Sequence, residues 1–182
     1  SDILLHFSNL IKKNKNNKNI IEFKDKNNPV TLADLRVNEK IIQRINQNYC
    51  RFGWEILSEE NLNLEDNNFY KYSEWLWVID PLDGTKDFIQ GTGDYAMHLA
   101  LNYRNKPFLG VVLIPSKNEL WLSDGEKVWV EKRNGQKEQK NLAQNKSLNE
   151  MTLVTSKNHS NKLLNNLIEK IQFKKKIVMG SI

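Results

Sequence analysis

An α+β fold, with helices first and an antiparallel meander after them, is what the order of hydrophobic patterns in this chain predicts. Three observations carry the prediction. The first part of the chain repeats apolar residues at helical spacing: Ile3, Leu4, Phe7, Leu10 and Ile11, then Leu32, Leu35, Ile41, Ile42 and Ile45. The middle switches to short apolar runs bounded by turn residues, with Asp124-Gly125 and Asn134-Gly135 as the strongest hairpin signals. Connections this short join antiparallel neighbours, because parallel strands need long crossovers. From residue 151 a strand, a helix and a second strand follow, which reads as a βαβ unit.

Each element has a local reason. Asp2 stands where it can cap the first helix, and the Asn/Lys stretch at 12–18 is a loop. Residues 20–24 read either as a short strand or as a helix remnant. Pro29 and Thr31 mark the start of the second helix, and Thr31-Leu32-Ala33-Asp34 fits a capping box with Asp34 at its third position. Residues 54–58 read as a strand running into Glu59 and Glu60, and residues 61–73 as an Asn-rich surface loop. Residues 75–79 are apolar on both faces, as a buried central strand requires, with Trp75 and Trp77 in the core. That strand ends in Asp80-Pro81-Leu82-Asp83-Gly84-Thr85, where Pro81 is expected to stop the ladder and residues 85–89 to open a short helix. Strands follow at 95–103, 108–114, 119–123 and 127–131. The closing unit places strands at 151–156 and 176–179 around a helix at 161–171.

The 182 residues amount to one domain and a fraction at about 150 residues per domain. We place the first unit at 1–147 and read 148–182 as the beginning of a second α/β domain. Five Trp and seven Phe exclude full disorder. The longest apolar runs, 75–79 and 108–114, fall far short of the roughly 18 residues of a membrane span. A single cysteine, Cys50, excludes an internal disulfide and a thiolate cluster, and is read as inert. The first ten residues carry no secretory signal pattern, so the expected compartment is the cytoplasm. The net charge is +5, but the lysines are dispersed among asparagines and no basic block is interleaved with aromatics. They read as a solvated surface, not as a nucleic-acid footprint.

Four acids stand at the ends of predicted elements: Asp34, Glu59, Asp80 and Asp83. A strand delivers Asp80 to its C-terminal edge, and a bend at Pro81 brings Asp83 and the Leu82 carbonyl back beside it. Carboxylates that close repel unless one is protonated or a cation lies between them. Oxygen donors without His or Cys select a hard ion such as Mg²⁺. Gly84 and Thr85 then offer backbone N–H groups to phosphate oxygens. The plainer alternatives stay open on spacing alone. Asp-Pro and Asp-Gly are ordinary turn pairs, Asp34 caps a helix, Glu59 and Glu60 are exposed acids, and His98 is a packed or hydrogen-bonded strand residue.

The run of PVTLAD (29–34), LSEE (57–60), WVIDPLDGTKDFI (77–89) and FLGVVLIP (108–115) resembles the inositol monophosphatase superfamily of Mg²⁺-dependent, lithium-sensitive phosphatases, in order and in spacing. Lys86 in DGTKDF, the Leu-Ser-Glu-Glu and the Gly-Ser near the end are similar to its bacterial 3′(2′),5′-bisphosphate nucleotidase branch. The resemblance implies a layered sugar-phosphatase-like fold and two or three Mg²⁺ ions. Glu59, Asp80, the Leu82 carbonyl and Asp83 would be metal ligands. Asp34 and Thr85, with Glu59, would order and activate the attacking water. Asp83, Gly84 and Thr85 would meet the substrate phosphate. The implied reaction turns 3′-phosphoadenosine 5′-phosphate into AMP and phosphate, as a clearing step in sulfur metabolism, with an inositol or sugar phosphatase as the alternative. A non-catalytic nucleotide-binding module is the alternative of another class. The implied partner is a small phosphorylated molecule, with no nucleic acid and no integral membrane contact, and a homodimer is allowed. One departure stands out. The family's later Trp-Asp pair, source of a further metal ligand, does not occur here, so the chain is expected to be incomplete at its C-terminal side and weakly active or inactive alone.

Overall fold

The computed structural model describes residues 20–25, 28–61, 73–141, 147–157 and 162–180. The helix expected around 3–11 and the loop at 12–18 lie outside the described residues, as does most of the expected loop at 61–73.

The chain enters as a hairpin. Strand β1 (Ile20–Asp25) pairs antiparallel with β2 (Asn28–Thr31), so residues 20–24 resolve as a strand. Pro29 lies within β2, opposite Phe23; both strands of a two-stranded ribbon are edge strands, the place in a sheet where proline is tolerated. Helix α1 (Leu32–Tyr49) starts at Thr31 through the capping box. Its buried stripe is Ala33, Val37, Ile41 and Ile45, with Asn38 beside it. This corrects the expected stripe: Leu35 is 36% exposed and Leu32 and Ile42 are half-buried. Ala33, Val37, Ile41 and Ile45 stand four apart on one face of the helix, the face packed in the core with the sheet, and Leu35 lies off that row.

Seven strands form one sheet in sequence order: β3 (Glu55–Ser58), β4 (Trp75–Asp83), β5 (Ala96–Tyr103), β6 (Lys106–Ile114), β7 (Glu119–Ser123), β8 (Val128–Lys132) and β9 (Lys137–Lys140). Only β3 and β4 run parallel; every later pair is antiparallel, as the short turns predict. The architecture is therefore α+β. The last strand, β9, is the return arm of the Asn134-Gly135 turn. Pro81 does not stop β4. The strand continues to Asp83 through an irregularity at which Asp80 faces His98 and Asp83 faces Ala96. One extra residue on β4 makes a bulge, a position where proline is tolerated and where a strand re-aims its side chains.

The core lies between α1 and one face of the sheet. Trp77, Ile79, Leu82, Met97, Leu101, Val111, Leu113 and Leu120 pack there, joined by Phe88 from helix α2 (Thr85–Gln90). The opposite sheet face is lined by Leu57, Val78, Ala100, Gly110 and Val112 and forms an open groove of about 350 Å³, with Glu59, Asp80 and His98 among its lining residues. Strand β10 (Thr152–Ser156), helix α3 (Lys162–Lys170) and strand β11 (Lys175–Met179) make the expected βαβ unit, with β10 and β11 parallel and in register from Thr152↔Lys175 to Ser156↔Met179. No helix among the described residues is long and apolar enough to cross a membrane.

Candidate active site

The end of β4, the start of α1 and the start of α2 meet at one place. Thr31 begins α1 by accepting a hydrogen bond from the Ala33 amide at 3.2 Å. In return Asp34 Oδ2 accepts from the Thr31 amide at 2.8 Å and from the Thr31 hydroxyl. The second carboxylate oxygen, Oδ1, lies 3.2 Å from the Thr85 hydroxyl, which also stands 3.2 Å from the Leu82 carbonyl. Asp34 therefore caps the helix with one oxygen and faces Thr85 with the other. The capping reading of Asp34 is the one the structure shows, and the same carboxylate also faces Thr85. The residue is 2% exposed, and burial raises its pKa above the ordinary aspartate value against the hydrogen bonds from Thr31 and Thr85.

Gly84 joins β4 to α2 at φ +85°, a left-handed conformation that a side chain would strain. This sharp turn puts Thr85 back over Leu82 and beside Asp34.

A second group of acids surrounds Asp80. Its carboxylate accepts from the Leu82 amide at 3.1 Å, fixing it within the bulge. Burial, then the charges of Glu59 and Asp83 together with a side-chain contact to Glu59, push the Asp80 pKa up to about 7. Glu59, delivered by the 3₁₀ turn after β3, and Asp83, at the end of β4, thus both act on Asp80. His98 stands opposite Asp80 on β5, with Nε2 3.4 Å from Asp83 Oδ2, an ion-pair distance without hydrogen-bond alignment. Contact with Asp83 raises the His98 pKa, and burial opposes this. Sequence reasoning read His98 as a packed or hydrogen-bonded strand residue and named no partner for it. Only the pairing of β4 with β5 puts it beside the acids, and no local pattern carries that register.

Among the described residues, no group of three or more His, Cys, Asp or Glu side chains is arranged to hold a metal ion as it stands. The donor chemistry nevertheless fits a hard divalent cation. The donors are carboxylate and carbonyl oxygens, and Asp80, its pKa raised by burial and then by the charges of Glu59 and Asp83, marks negative charge that a cation would relieve.

A pH dependence follows. Asp80 and Asp34 bind protons more tightly folded than unfolded, so their contribution to stability falls as pH rises above the ordinary aspartate value of 3.8 and, for Asp80, through about 7. His98 has the same sign: its contribution is complete below its ordinary 6.5 and is lost as pH rises through the higher folded value. In EDTA the melting temperature should drop between about pH 5 and pH 8 by roughly 5 °C or more. Melting curves recorded across that range check this; a flat or rising profile contradicts the clustering of these groups.

Comparison with known proteins adds a family. The inositol monophosphatase family profile matches residues 2–181. The 3′(2′),5′-bisphosphate nucleotidase CysQ of Buchnera aphidicola is 32% identical over 163 residues, covering 88% of this chain and 58% of that protein. CysQ of Escherichia coli K12 is 34% identical over 107 residues, covering 58% of this chain and 41% of that protein. The chain thus spans under two thirds of the length of these relatives. Among solved structures, a Thermotoga maritima IMPase superposes with a TM-score of 0.79 at 23% identity, covering 99% of this chain and 66% of that one. CysQ of Bacteroides thetaiotaomicron superposes with 0.71 at 24% identity, covering 96% and 68%. Both solved structures share the α+β fold described above.

Proposed function

Because the chain belongs to the inositol monophosphatase family, we propose that it carries the metal- and phosphate-binding half of a phosphoric monoester hydrolase acting on a 3′(2′),5′-bisphosphate nucleotide. The convergence of Asp34, Thr85 and the Leu82 carbonyl beside the Glu59–Asp80–Asp83 group supports this reading. The nucleotide preference rests on the similarity to CysQ proteins.

In this reading Glu59, Asp80, Asp83 and the Leu82 carbonyl would hold Mg²⁺, as two or three ions. When bound, the metal supplies charge neutralisation at the phosphoryl oxygens and at the leaving oxygen. The protein's own groups do the rest. The amides of Gly84 and Thr85, with Asp83 beside them, hold the ester phosphate. The Thr85 hydroxyl orients the attacking water, and Asp34, whose raised pKa suits a proton acceptor, takes its proton through that hydroxyl. The water oxygen forms a bond to phosphorus as the bond to the 3′-oxygen breaks. The products are AMP and phosphate, with no covalent phosphoenzyme.

Residues 148–182 open a second α/β domain in this proposal. Leu163 is 82% exposed, and Leu167, Val154 and Val178 are exposed too, as expected of an apolar surface that further structure covers. The protein works as a cytoplasmic enzyme on a small phosphorylated molecule, and a homodimer is compatible with it.

The test is release of inorganic phosphate by this chain with Mg²⁺, from 3′-phosphoadenosine 5′-phosphate and from inositol 1-phosphate side by side. Slow, Mg²⁺-dependent release that favours the nucleotide is expected. The reverse preference assigns the chain to inositol or sugar phosphates. Nucleotide binding without Mg²⁺ that survives both Asp80→Asn and Asp83→Asn, with no turnover, overturns the enzyme reading.

A further inference from the structure

Neither Asp87 nor Lys157 belongs to the acid cluster, yet they tie the helix that follows it to the βαβ unit. Asp87 lies in α2, two residues after Thr85, and is 1% exposed. Its carboxylate receives a hydrogen bond from the Thr92 hydroxyl at 2.7 Å and forms an ion pair with the Lys157 ammonium. Its backbone carbonyl accepts from the Gly91 amide at 2.8 Å and the Thr92 amide at 3.1 Å, closing α2. Lys157 follows β10, and its ammonium also stands 3.8 Å from Asp94. The Lys157 amide donates to the Met179 carbonyl at the end of β11, 2.8 Å away, so the lysine is anchored to both parallel strands.

Gly180 is the independent witness. It follows β11 and its amide lies 3.4 Å from Asp94 Oδ2. A Cβ built on Gly180 would overlap the Asp87 carboxylate. The backbone beyond β11 therefore approaches Asp87 as closely as a glycine permits. Parallel strands present their C-terminal edge to ligands, and here that edge, at Lys157 and Gly180, is pressed against the helix that begins at Thr85.

We infer that the Asp87–Lys157 ion pair, seated on Gly180, is a clamp that sets the position of the Gly84–Thr85 turn against the C-terminal edge of β10 and β11. Lys157 is thereby a positioning residue for phosphate binding, a role that rests on the phosphatase reading, whereas the clamp itself does not. A buried carboxylate that loses its cation is strongly disfavoured where it stands, so the helix carrying it must shift to reach water.

Amide hydrogen exchange on the intact chain tests this. Lys157→Ala should speed exchange at Phe88, Gly91 and Thr92, the amides that close α2, by about tenfold, while the peptides of β5 to β8 keep their rates. Lys157→Arg should restore slow exchange, because the guanidinium can renew the pair. Gly180→Ala should loosen the same amides from the other side, and Lys140→Ala, which removes an exposed pair with Glu138, should leave them unchanged. Binding of inorganic phosphate with Mg²⁺ should weaken in Lys157→Ala and recover in Lys157→Arg. Unchanged exchange in α2, or a uniform acceleration across the chain, overturns the clamp. If exchange responds but inorganic phosphate fails to bind even the unmodified chain, the clamp stands and the phosphatase reading falls.

Discussion

Asp80→Asn should abolish Mg²⁺-dependent phosphate release, by about a thousandfold or more, while making the metal-free chain more stable at pH 8. The two effects have opposite signs and one cause. Asp80 is partly buried and stands among the charges of Glu59 and Asp83, which together push its pKa up to about 7. At pH 8 without metal its charge opposes folding, and an amide of the same shape removes that opposition. In the proposed site the same charge would be a Mg²⁺ ligand that the amide replaces poorly. Melting curves with EDTA and with Mg²⁺, next to the phosphate-release assay, read both effects. Asp80→Asn should melt higher in EDTA and lose most of the rise that Mg²⁺ produces in the unmodified chain. A variant that melts lower in EDTA would show that the Asp80 charge does not oppose folding, and one that still gains fully from Mg²⁺ would show that Asp80 is not a ligand.

Phe88→Ala should cost about 3–5 kcal/mol of stability, enough to unfold much of a marginal chain. Phe88 is fully buried, and its ring meets Tyr95 edge to face with centroids 5.2 Å apart. Its amide donates to the Gly84 carbonyl at 2.9 Å, so the same residue fastens the core and closes the turn that carries Thr85. Phe108→Ala is the control. That ring also meets an aromatic edge to face, Trp75 at 5.2 Å, but it is 51% exposed and should cost less than about 1 kcal/mol. Urea denaturation of the two variants checks the contrast. Equal losses would mean that burial is not what separates them.

The α+β class, the meander and the βαβ unit were legible because their signals are local: hydrophobic period, turn pairs and connection length. The acids were legible as a set because each reads as lying near the end of an element, although β4 continues through Asp80 to Asp83 and Asp34 lies in the first turn of α1. The misreadings have physical causes too. Pro81 reads as a stop because it lacks an N–H, but a bulge removes the need for one, and whether a strand bulges depends on its partner. Leu35 reads as core because it is large and apolar, whereas Ala33 and Val37 are buried because they share the core-facing row of Ile41 and Ile45. Asp87 and Lys157 are 70 residues apart, and nothing in either neighbourhood announces the other.

By itself the amino-acid order determined the elements, their sequence along the chain and the oxygen-donor chemistry at their ends. These depend on interactions within a few residues, which the order spells out directly. Tertiary structure alone decided that Asp34 shares its carboxylate between a helix cap and Thr85, that His98 faces Asp80 and Asp83, and that Gly180 seats Asp87. Those contacts depend on strand register and on the distance between layers. Both follow from packing the whole chain at once, and no short stretch contains them.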